Sequence, residues 1–184
     1  MNTYFDRRFA VDLNWNAQPL ATAIVSSGLS ADFRKSFGDV EIQTEIQFGN
    51  MSRWHSDIFR FQTAYAQSLI NIGFSVLPTR ALAKRIDSNI AQYERAKREL
   101  PSAQLSITLP LVLAGIEPDS ETPIVDISES KFTRIKSITG KGNAENRWRL
   151  VNAYLSGTPM TDVGPRSDTG PMIESSSADF DDDS

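Results

Sequence analysis

The sequence lacks the residue types on which several classes of catalytic and binding site depend. It contains no cysteine and a single histidine, His55, among its 184 residues. The absence of cysteine excludes disulfides, thiolate zinc sites and cysteine nucleophiles, and it fits a reducing cytoplasm. One histidine excludes metal sites built from several histidines and leaves little room for a Ser-His-Asp triad.

Long hydrophobic runs are absent as well. No apolar run approaches the roughly 18 residues of a membrane span, and the first residues lack the apolar segment of a secretory signal. We therefore expect a soluble protein that is not exported by that route. Hydrophobic residues make up 40% of the chain and include ten Phe, enough for the core of one domain.

The acidic net charge is unevenly distributed. Residues 158–184 hold seven acidic residues and one base, Arg166, and so carry a charge of −6. Because the whole chain carries −4, residues 1–157 carry +2. The segment 158–184 is rich in Pro, Gly, Ser and Asp and has little to bury, so we predict a disordered acidic tail. The mildly basic remainder permits a polyanionic partner without requiring one.

The hydrophobic pattern predicts alternating strands and helices. Strands are predicted over 8–15, 40–48, 72–77 and 105–115, and helices over 17–27, 54–69, 79–100 and 143–156. The helix over 79–100 is expected to break at Asp87-Ser88-Asn89, residues that favour turns and caps. The nearly continuous apolar run over 105–115 predicts a central strand covered on both faces. This order indicates an α/β fold whose sheet has at least one parallel crossover.

One predicted strand carries an unusual row of polar side chains. Glu41, Gln43, Glu45 and Gln47 alternate with mostly apolar residues and therefore share one face of the strand over 40–48. Carboxylate and amide oxygens are the ligands that hard cations such as Mg²⁺ prefer. The alternative interpretation is an ordinary solvated face.

Three separated segments resemble a known family. They are residues 44–62 (TEIQFGNMSRWHSDIFRFQ), 87–94 (DSNIAQYE) and 110–118 (PLVLAGIEP). These segments are similar, in the same order, to type II restriction endonucleases of the BglII, BstYI and BamHI group, within the PD-(D/E)XK nuclease superfamily. The resemblance spans about residues 30–118 and implies a restriction-endonuclease-like mixed sheet flanked by helices.

The resemblance implies a catalytic centre with an Asp on one strand and Glu-x-Gln on its neighbour. Carried over, Glu45 is a metal-binding carboxylate, and Gln47 stands where the BglII-like branch has Gln. Their Cα atoms lie about 7 Å apart on one strand face, so both can address one Mg²⁺ ion or its water. Asp32 is the expected second carboxylate in catalysis and metal binding, with Asp12 as the alternative.

The resemblance also implies which residues bind DNA. Asn50, Ser52 and Arg53 follow the catalytic strand, and Ser88 and Asn89 lie at the helix break. Arg can bind guanine and Asn can bind adenine through paired hydrogen bonds in the major groove. Ser88 and Asn89 are also suitable N-cap residues for the helix that follows them, which is the structural alternative.

Three functions are compatible with these observations. The first is a cytoplasmic, Mg²⁺-dependent restriction endonuclease that cuts double-stranded DNA at a short palindromic site as a homodimer. The second is a non-catalytic DNA-binding remnant of the same fold, and the third is a structural α/β interaction domain. We expect a nuclease core over 1–118, an extension with a helix over 119–157, and the acidic tail. Relatives have a longer helical segment before the catalytic Asp, so that part of the core and dimer interface is expected to be shortened here.

Overall fold

The computed structural model describes residues 2–87, 89–103, 107–119, 125–139 and 142–165. The chain forms two compact units. One unit comprises Leu13–Glu121, and the other comprises Met1–Asp12 together with Thr122–Ser184. Within the described ranges, none of the helices combines the length and the apolar content that crossing a membrane requires.

The unit Leu13–Glu121 is built on a five-stranded mixed sheet with the strand order β1-β2-β3-β4-β5. Its strands are β1 (Asn16–Ala17), β2 (Phe33–Phe37), β3 (Val40–Ile46), β4 (Ile72–Pro78) and β5 (Leu111–Ile116). β2 pairs antiparallel with β1 and β3, whereas β3, β4 and β5 run parallel. The predicted mixed sheet with a parallel crossover is therefore confirmed.

The parallel connections pass through helices. α2 (Met51–Ala66) links β3 to β4, and α3 (Arg80–Ile86) and α4 (Tyr93–Glu99) lie between β4 and β5. The predicted helix over 79–100 is thus interrupted where the turn-forming residues stand. α2 presents a buried stripe to the sheet at helical spacing. The stripe consists of Met51, Trp54, Asp57, Phe61 and Ala64.

Two predictions about this unit are wrong. The segment 17–27 is not an α-helix, because its backbone pairs with residues 29–32 instead: Ala21 N–H donates to the Leu29 carbonyl, and Ala31 N–H donates to the Pro19 carbonyl. β5 is not a central strand covered on both faces. It is the last strand in the sheet order, and Val112 is 49% exposed.

The other unit is helical in the part that the structure describes. It contains α1 (Asn2–Asp6), which continues as a π-helix over Arg7–Asp12, and then α5 (Lys136–Thr139) and α6 (Ala144–Ser156). The predicted strand over 8–15 is therefore wrong. Side chains four residues apart contact each other here, as a helix requires: the Phe5 and Phe9 rings lie 6.4 Å apart, and Arg8 pairs with Asp12 at 2.9 Å.

The predicted C-terminal helix over 143–156 is confirmed as α6. It contributes to a small core that consists of Phe132, Ile138, Leu150, Ala153 and Val163. Val163 belongs to the segment that we assigned to the acidic tail, yet it is only 4% exposed, and its carbonyl accepts from Lys131 N–H at 2.8 Å. Residues 158–165 are thus packed, and residues 166–184 lie outside the described residues.

Candidate active site

The two carboxylates expected at the catalytic centre lie side by side. Asp32 directly precedes β2, and Glu45 lies on β3, where Phe33 pairs with Thr44. The backbone N–H of Asp32 donates to Glu45 Oε2 at 3.3 Å, and Ile46 N–H donates to Asp32 Oδ2 at 2.7 Å. The antiparallel β2–β3 pairing therefore brings together two acids that are 13 positions apart in the chain.

The middle of the row of Glu and Gln side chains is not a solvated face. Gln43 and Glu45 are 0% and 1% exposed, and α2 lies over this side of the strand, where its Arg60 contacts Glu45 and its Asp57 contacts Gln47. Gln43 donates through Nε2 to Glu45 Oε1 at 3.1 Å and accepts from the Arg34 guanidinium at 3.2 Å. Burial of a carboxylate and an amide on one face is costly unless each finds partners, and these two do.

α2 adds a third acid and a base to this cluster. Asp57 is 1% exposed, and its Oδ1 pairs with Arg60 Nη1 at 2.8 Å. The same Arg60 nitrogen lies 3.5 Å from Glu45 Oε2. Arg60 therefore carries positive charge to a site that otherwise holds three carboxylates.

Gln47 is held at both ends of its side-chain amide. Its Nε2 donates to Asp57 Oδ2 at 2.8 Å, and its Oε1 accepts from Gly49 N–H at 2.6 Å. A Cβ at Gly49 would lie 2.6 Å from Gln47 Oε1, so only glycine fits without displacing the amide. The Gln47 side chain consequently has one defined orientation beside the paired acids.

The electrostatic environment disfavours negative charge on all three acids. Burial raises the pKa of Glu45 well above its usual value, and repulsion from Asp32 and Asp57 adds to the rise while Arg60 opposes it. Burial also raises the pKa of Asp32, although the hydrogen bond from Ile46 N–H and the positive charge of Arg60 lower it in part. Burial raises the pKa of Asp57 to about 7, although Gln47 and Arg60 favour its ionised form.

A divalent cation fits the chemistry of these donors. Adjacent carboxylates that repel each other in a buried site are stabilised by a cation. Mg²⁺ is commonly held by one or two protein carboxylates, with water and substrate phosphate completing its shell. The described residues contain no group of three or more Asp, Glu, His or Cys side chains arranged around one ion. Asp32 and Glu45, which are joined by a hydrogen bond from the Asp32 backbone, are the side chains of this site that could hold the ion.

The two predicted DNA-binding segments lie next to each other. Asn50 forms an antiparallel bridge with Ile90, and Ala91 N–H donates to the Gly49 carbonyl at 2.8 Å. Arg53, in the first turn of α2, and Asn89, in the loop between α3 and α4, are both exposed and belong to these neighbouring segments. The tertiary structure thus unites segments that stand about 40 positions apart.

The side chain of Asn50 already has a structural role in this region. Its Oδ1 accepts from Arg53 N–H at 3.1 Å and from Ser52 Oγ at 2.6 Å, so Asn50 is the N-cap of α2. Ser88 lies outside the described residues. At α4 the structure places the N-cap at Gln92.

The alternative acid, Asp12, has its charged partners within its own unit. Asp12 belongs to the unit that contains α1 and α6, where it pairs with Arg7 at 2.6 Å and Arg8 at 2.9 Å. Asp32, in contrast, shares a hydrogen bond with Glu45. The structure therefore groups Asp32 with Glu45 and Gln47.

Asp57 and Arg60 are the site residues that our sequence interpretation missed. Asp57 stands three residues after Trp54 and four before Phe61, which places a carboxylate within the apolar stripe of α2. An acid at a core position of an amphipathic helix, directly after a strand rich in Glu and Gln, was the available signal. Arg60 stands three residues further on and so reaches the same side.

Comparison with solved structures shows a shared fold. The crystal structure of the restriction endonuclease BglII complexed with a DNA 16-mer aligns with a TM-score of 0.52 and 18% identity over 66% of this chain. The alignment covers 57% of BglII, so this chain spans less than two thirds of that enzyme. Free BglII aligns with a TM-score of 0.43 and 17% identity, over 66% of this chain and 59% of BglII.

Comparison with protein families extends this finding to the sequence. No curated protein matches the chain. The model of the restriction endonuclease BglII/BglIII family, however, matches residues 1–116, which is more than half of the chain. The resemblance inferred from the three sequence segments is thus confirmed: the chain belongs to the BglII/BglIII family of restriction endonucleases.

Proposed function

We propose that this protein is a Mg²⁺-dependent endonuclease that hydrolyses phosphodiester bonds of double-stranded DNA within a short palindromic site. One observation carries the proposal: Asp32 and Glu45 lie side by side, with Gln47 two residues after Glu45, directly after the end of β3. Membership of a restriction endonuclease family and the DNA bound to the related BglII structure support the same conclusion.

The residues of the site divide the chemical work. Asp32 and Glu45 would hold the cation, which supplies charge neutralisation at the phosphate and a more acidic bound water. Gln47 cannot act as a general base, because an amide nitrogen is not basic at neutral pH. Its fixed amide can instead orient a water or a phosphate oxygen by hydrogen bonding.

A palindromic target is matched most simply by a two-fold dimer, in which each subunit presents the same loops to one half-site. We include a homodimer in the proposal for this reason. The start of α2, which carries Arg53, and the neighbouring loop that carries Asn89 form the surface that would contact bases. Lys84, on α3, would contact the phosphate backbone.

The direct test is digestion of plasmid DNA. The purified full chain is incubated with Mg²⁺, with Ca²⁺ or with EDTA, and the products are separated on native and denaturing gels. We expect discrete fragments with Mg²⁺ and none with EDTA. Salt-dependent retardation of DNA on the native gel without cutting would instead identify a DNA-binding remnant of the fold. If the protein did not bind DNA at all, the structural interaction domain would be the remaining function.

Specificity is tested with two matched variants. Asn89→Ala should lower the preference for one base pair by about 1–3 kcal/mol, equally in both half-sites. Lys84→Ala should weaken binding to all sequences alike and reduce the salt slope by about one unit. Equal weakening of every sequence by Asn89→Ala would argue against base contact. A monomer on DNA in sedimentation experiments would reject the dimer.

A further inference from the structure

The burial of Asp57 is not explained by the stability of the core. Its neighbours in the stripe of α2, Trp54 and Phe61, are apolar and buried. A leucine at this position would also fill the core, without the free energy that removing a carboxylate from water costs. The two hydrogen-bond partners of Asp57 indicate what this carboxylate does instead.

One oxygen of Asp57 fixes Gln47. Oδ2 accepts from Gln47 Nε2 at 2.8 Å, while Gly49 N–H donates to the opposite end of the same amide at 2.6 Å. An amide that is bonded at both ends by partners of opposite type cannot rotate by 180° without losing both bonds. Asp57 therefore decides which end of Gln47 points to each partner.

The other oxygen of Asp57 holds Arg60. The Arg60 nitrogen lies 2.8 Å from Asp57 Oδ1 but 3.5 Å from Glu45 Oε2. Because a charged hydrogen bond weakens with distance, Arg60 is bound mainly to Asp57 and only weakly to Glu45. Without the negative charge on Asp57, Glu45 would become the nearest strong acceptor for Arg60.

We propose that Asp57 is a positioning residue for the nuclease site. It locks the Gln47 amide in one orientation and keeps the Arg60 guanidinium from occupying Glu45. This inference rests on the proposed function, since it assumes that Glu45 holds the cation. It predicts that a change at Asp57 alters cation binding through Arg60, although Asp57 itself is not a ligand.

Two variants of Asp57 separate its two roles. In Asp57→Asn the side-chain oxygen still accepts from Gln47, but the negative charge facing Arg60 is lost. In Asp57→Leu both partners are lost, and the helix stripe stays apolar and filled. The Arg60 side chain is 31% exposed, so it can reach water in either variant and is not left buried without a partner.

The first measurement is Ca²⁺ binding to the full chain without DNA, by titration calorimetry. We expect Asp57→Asn to bind Ca²⁺ about tenfold more weakly than the wild type, within the coupling range of contacting residues. The double variant Asp57→Asn/Arg60→Met removes the competing cation and should restore the affinity. A purely structural role of Asp57 would give no such rescue.

The second measurement is hydrogen exchange of the Gln47 side-chain amide by NMR, which needs neither cation nor DNA. We expect protection in the wild type and in Asp57→Asn, and faster exchange in Asp57→Leu. Cleavage by Asp57→Leu should show a lower kcat with little change in KM. Glu99→Gln, which removes the exposed Arg95 pair of 2.7 Å on α4, is the matched control and should change none of these quantities.

Two results would overturn the proposal. Unchanged Ca²⁺ affinity in Asp57→Asn would show that Asp57 does not keep Arg60 away from Glu45. Unchanged hydrogen exchange of the Gln47 amide in Asp57→Leu would show that Asp57 does not fix that amide. If the wild type neither binds Ca²⁺ nor cuts plasmid, the proposed function is wrong, and the proposed effect of Arg60 on cation binding is wrong as well. The amide measurement still decides, in that case, whether Asp57 fixes Gln47.

Discussion

At the scale of single residues, the site holds acids whose ionisation is energetically unfavourable. Three acids, Asp32, Glu45 and Asp57, lie where burial opposes ionisation, and Arg60 offsets only part of that cost. Such an arrangement gains stability when a cation arrives, because bound cations reverse the local preference for the neutral form. The same arrangement makes folding sensitive to pH.

The first prediction separates the candidate acids. Glu45→Gln and Asp32→Asn should each lower plasmid cleavage by at least about 100-fold, since each removes a charged donor from the cation. Folding should persist, because each change removes a carboxylate from a buried or half-buried place. Cleavage rates and the stabilisation of the fold by Mg²⁺ in thermal melts are the measurements.

Asp12→Asn is the control for that prediction. It breaks the pairs with Arg7 and Arg8 and should leave cleavage near the wild-type rate. Loss of cleavage in Asp12→Asn with activity retained in Asp32→Asn would reverse the assignment.

The second prediction concerns pH. Burial raises the folded-state pKa of Asp57 to about 7, above its ordinary value of 3.8, so between these values the folded chain holds a proton that the unfolded chain has lost. The free energy of unfolding should therefore be highest at the acid end of this window and fall as pH rises to about 7. Asp57→Asn should flatten the slope by up to about 1.4 kcal/mol per pH unit.

Urea titrations at several pH values, without divalent cation, measure this slope. Glu45 and Asp32 contribute in the same direction, because burial raises the pKa of both. A slope that is identical in the wild type and in Asp57→Asn would show that Asp57 is ionised throughout the window.

At the scale of elements, the site depends on the junction between β3 and α2. Gln47 ends the polar row of the strand, Gly49 accommodates its amide, and Asn50 caps the helix that delivers Asp57. The four positions 47–50 thus connect the polar face of the strand with the face of α2 that carries Asp57. A change that loosens the start of α2 should therefore affect both stability and the site.

The third prediction tests the cap. Asn50→Ala should lower the free energy of unfolding by about 1 kcal/mol, because Arg53 N–H loses the side-chain acceptor Asn50 Oδ1 and keeps only the backbone carbonyl of residue 50. Asn50→Asp keeps an acceptor near the helix N-terminus and should preserve stability. DNA affinity of the two variants then distinguishes the roles of the side chain. If Asn50→Asp is as stable as the wild type and binds cognate DNA as tightly, Asn50 is a cap and not a base contact.

At the scale of the whole molecule, charge and packing divide the C-terminal region. Val163 is buried in the small core with Leu150 and Ala153, so residues up to 165 belong to the folded unit. Residues 166–184 hold six acids and one base, a charge of −5. Removing them leaves a net charge of +1 on the remaining chain.

The fourth prediction compares two deletions. Deletion of 166–184 should strengthen DNA binding, most strongly at low salt, since it removes long-range repulsion of phosphates. It should leave the melting temperature unchanged. Deletion of 158–184 should also lower the melting temperature, because it removes Val163 from the core. Equal DNA affinity of the full chain and the shorter deletion at low salt would show that these charges do not oppose binding.

Local patterns in the sequence determined much of this fold. The alternation over 40–48, the apolar run before Pro78 and the helical spacing after Asn50 each specify their element because the pattern matches one backbone period. The same alternation placed Glu45 and Gln47 on one face of the strand together with Glu41 and Gln43, and the resemblance to the family singled out Glu45 and Gln47. Asp32 was named by resemblance, and the family match confirms that the resemblance is real.

The tertiary structure decided what no local pattern contains. Residues 8–12 alternate like a strand, but their backbone forms a helix. Residues 17–27 are spaced like a helix, but their backbone groups pair with residues 29–32 instead of with one another. From the sequence alone, the face with Glu and Gln could have been exposed to solvent, whereas in the structure α2 covers Gln43 and Glu45. Asp57 and Arg60 became identifiable as site residues only from the tertiary structure. The role of a carboxylate within an apolar helix stripe depends on which side chains the fold places next to it.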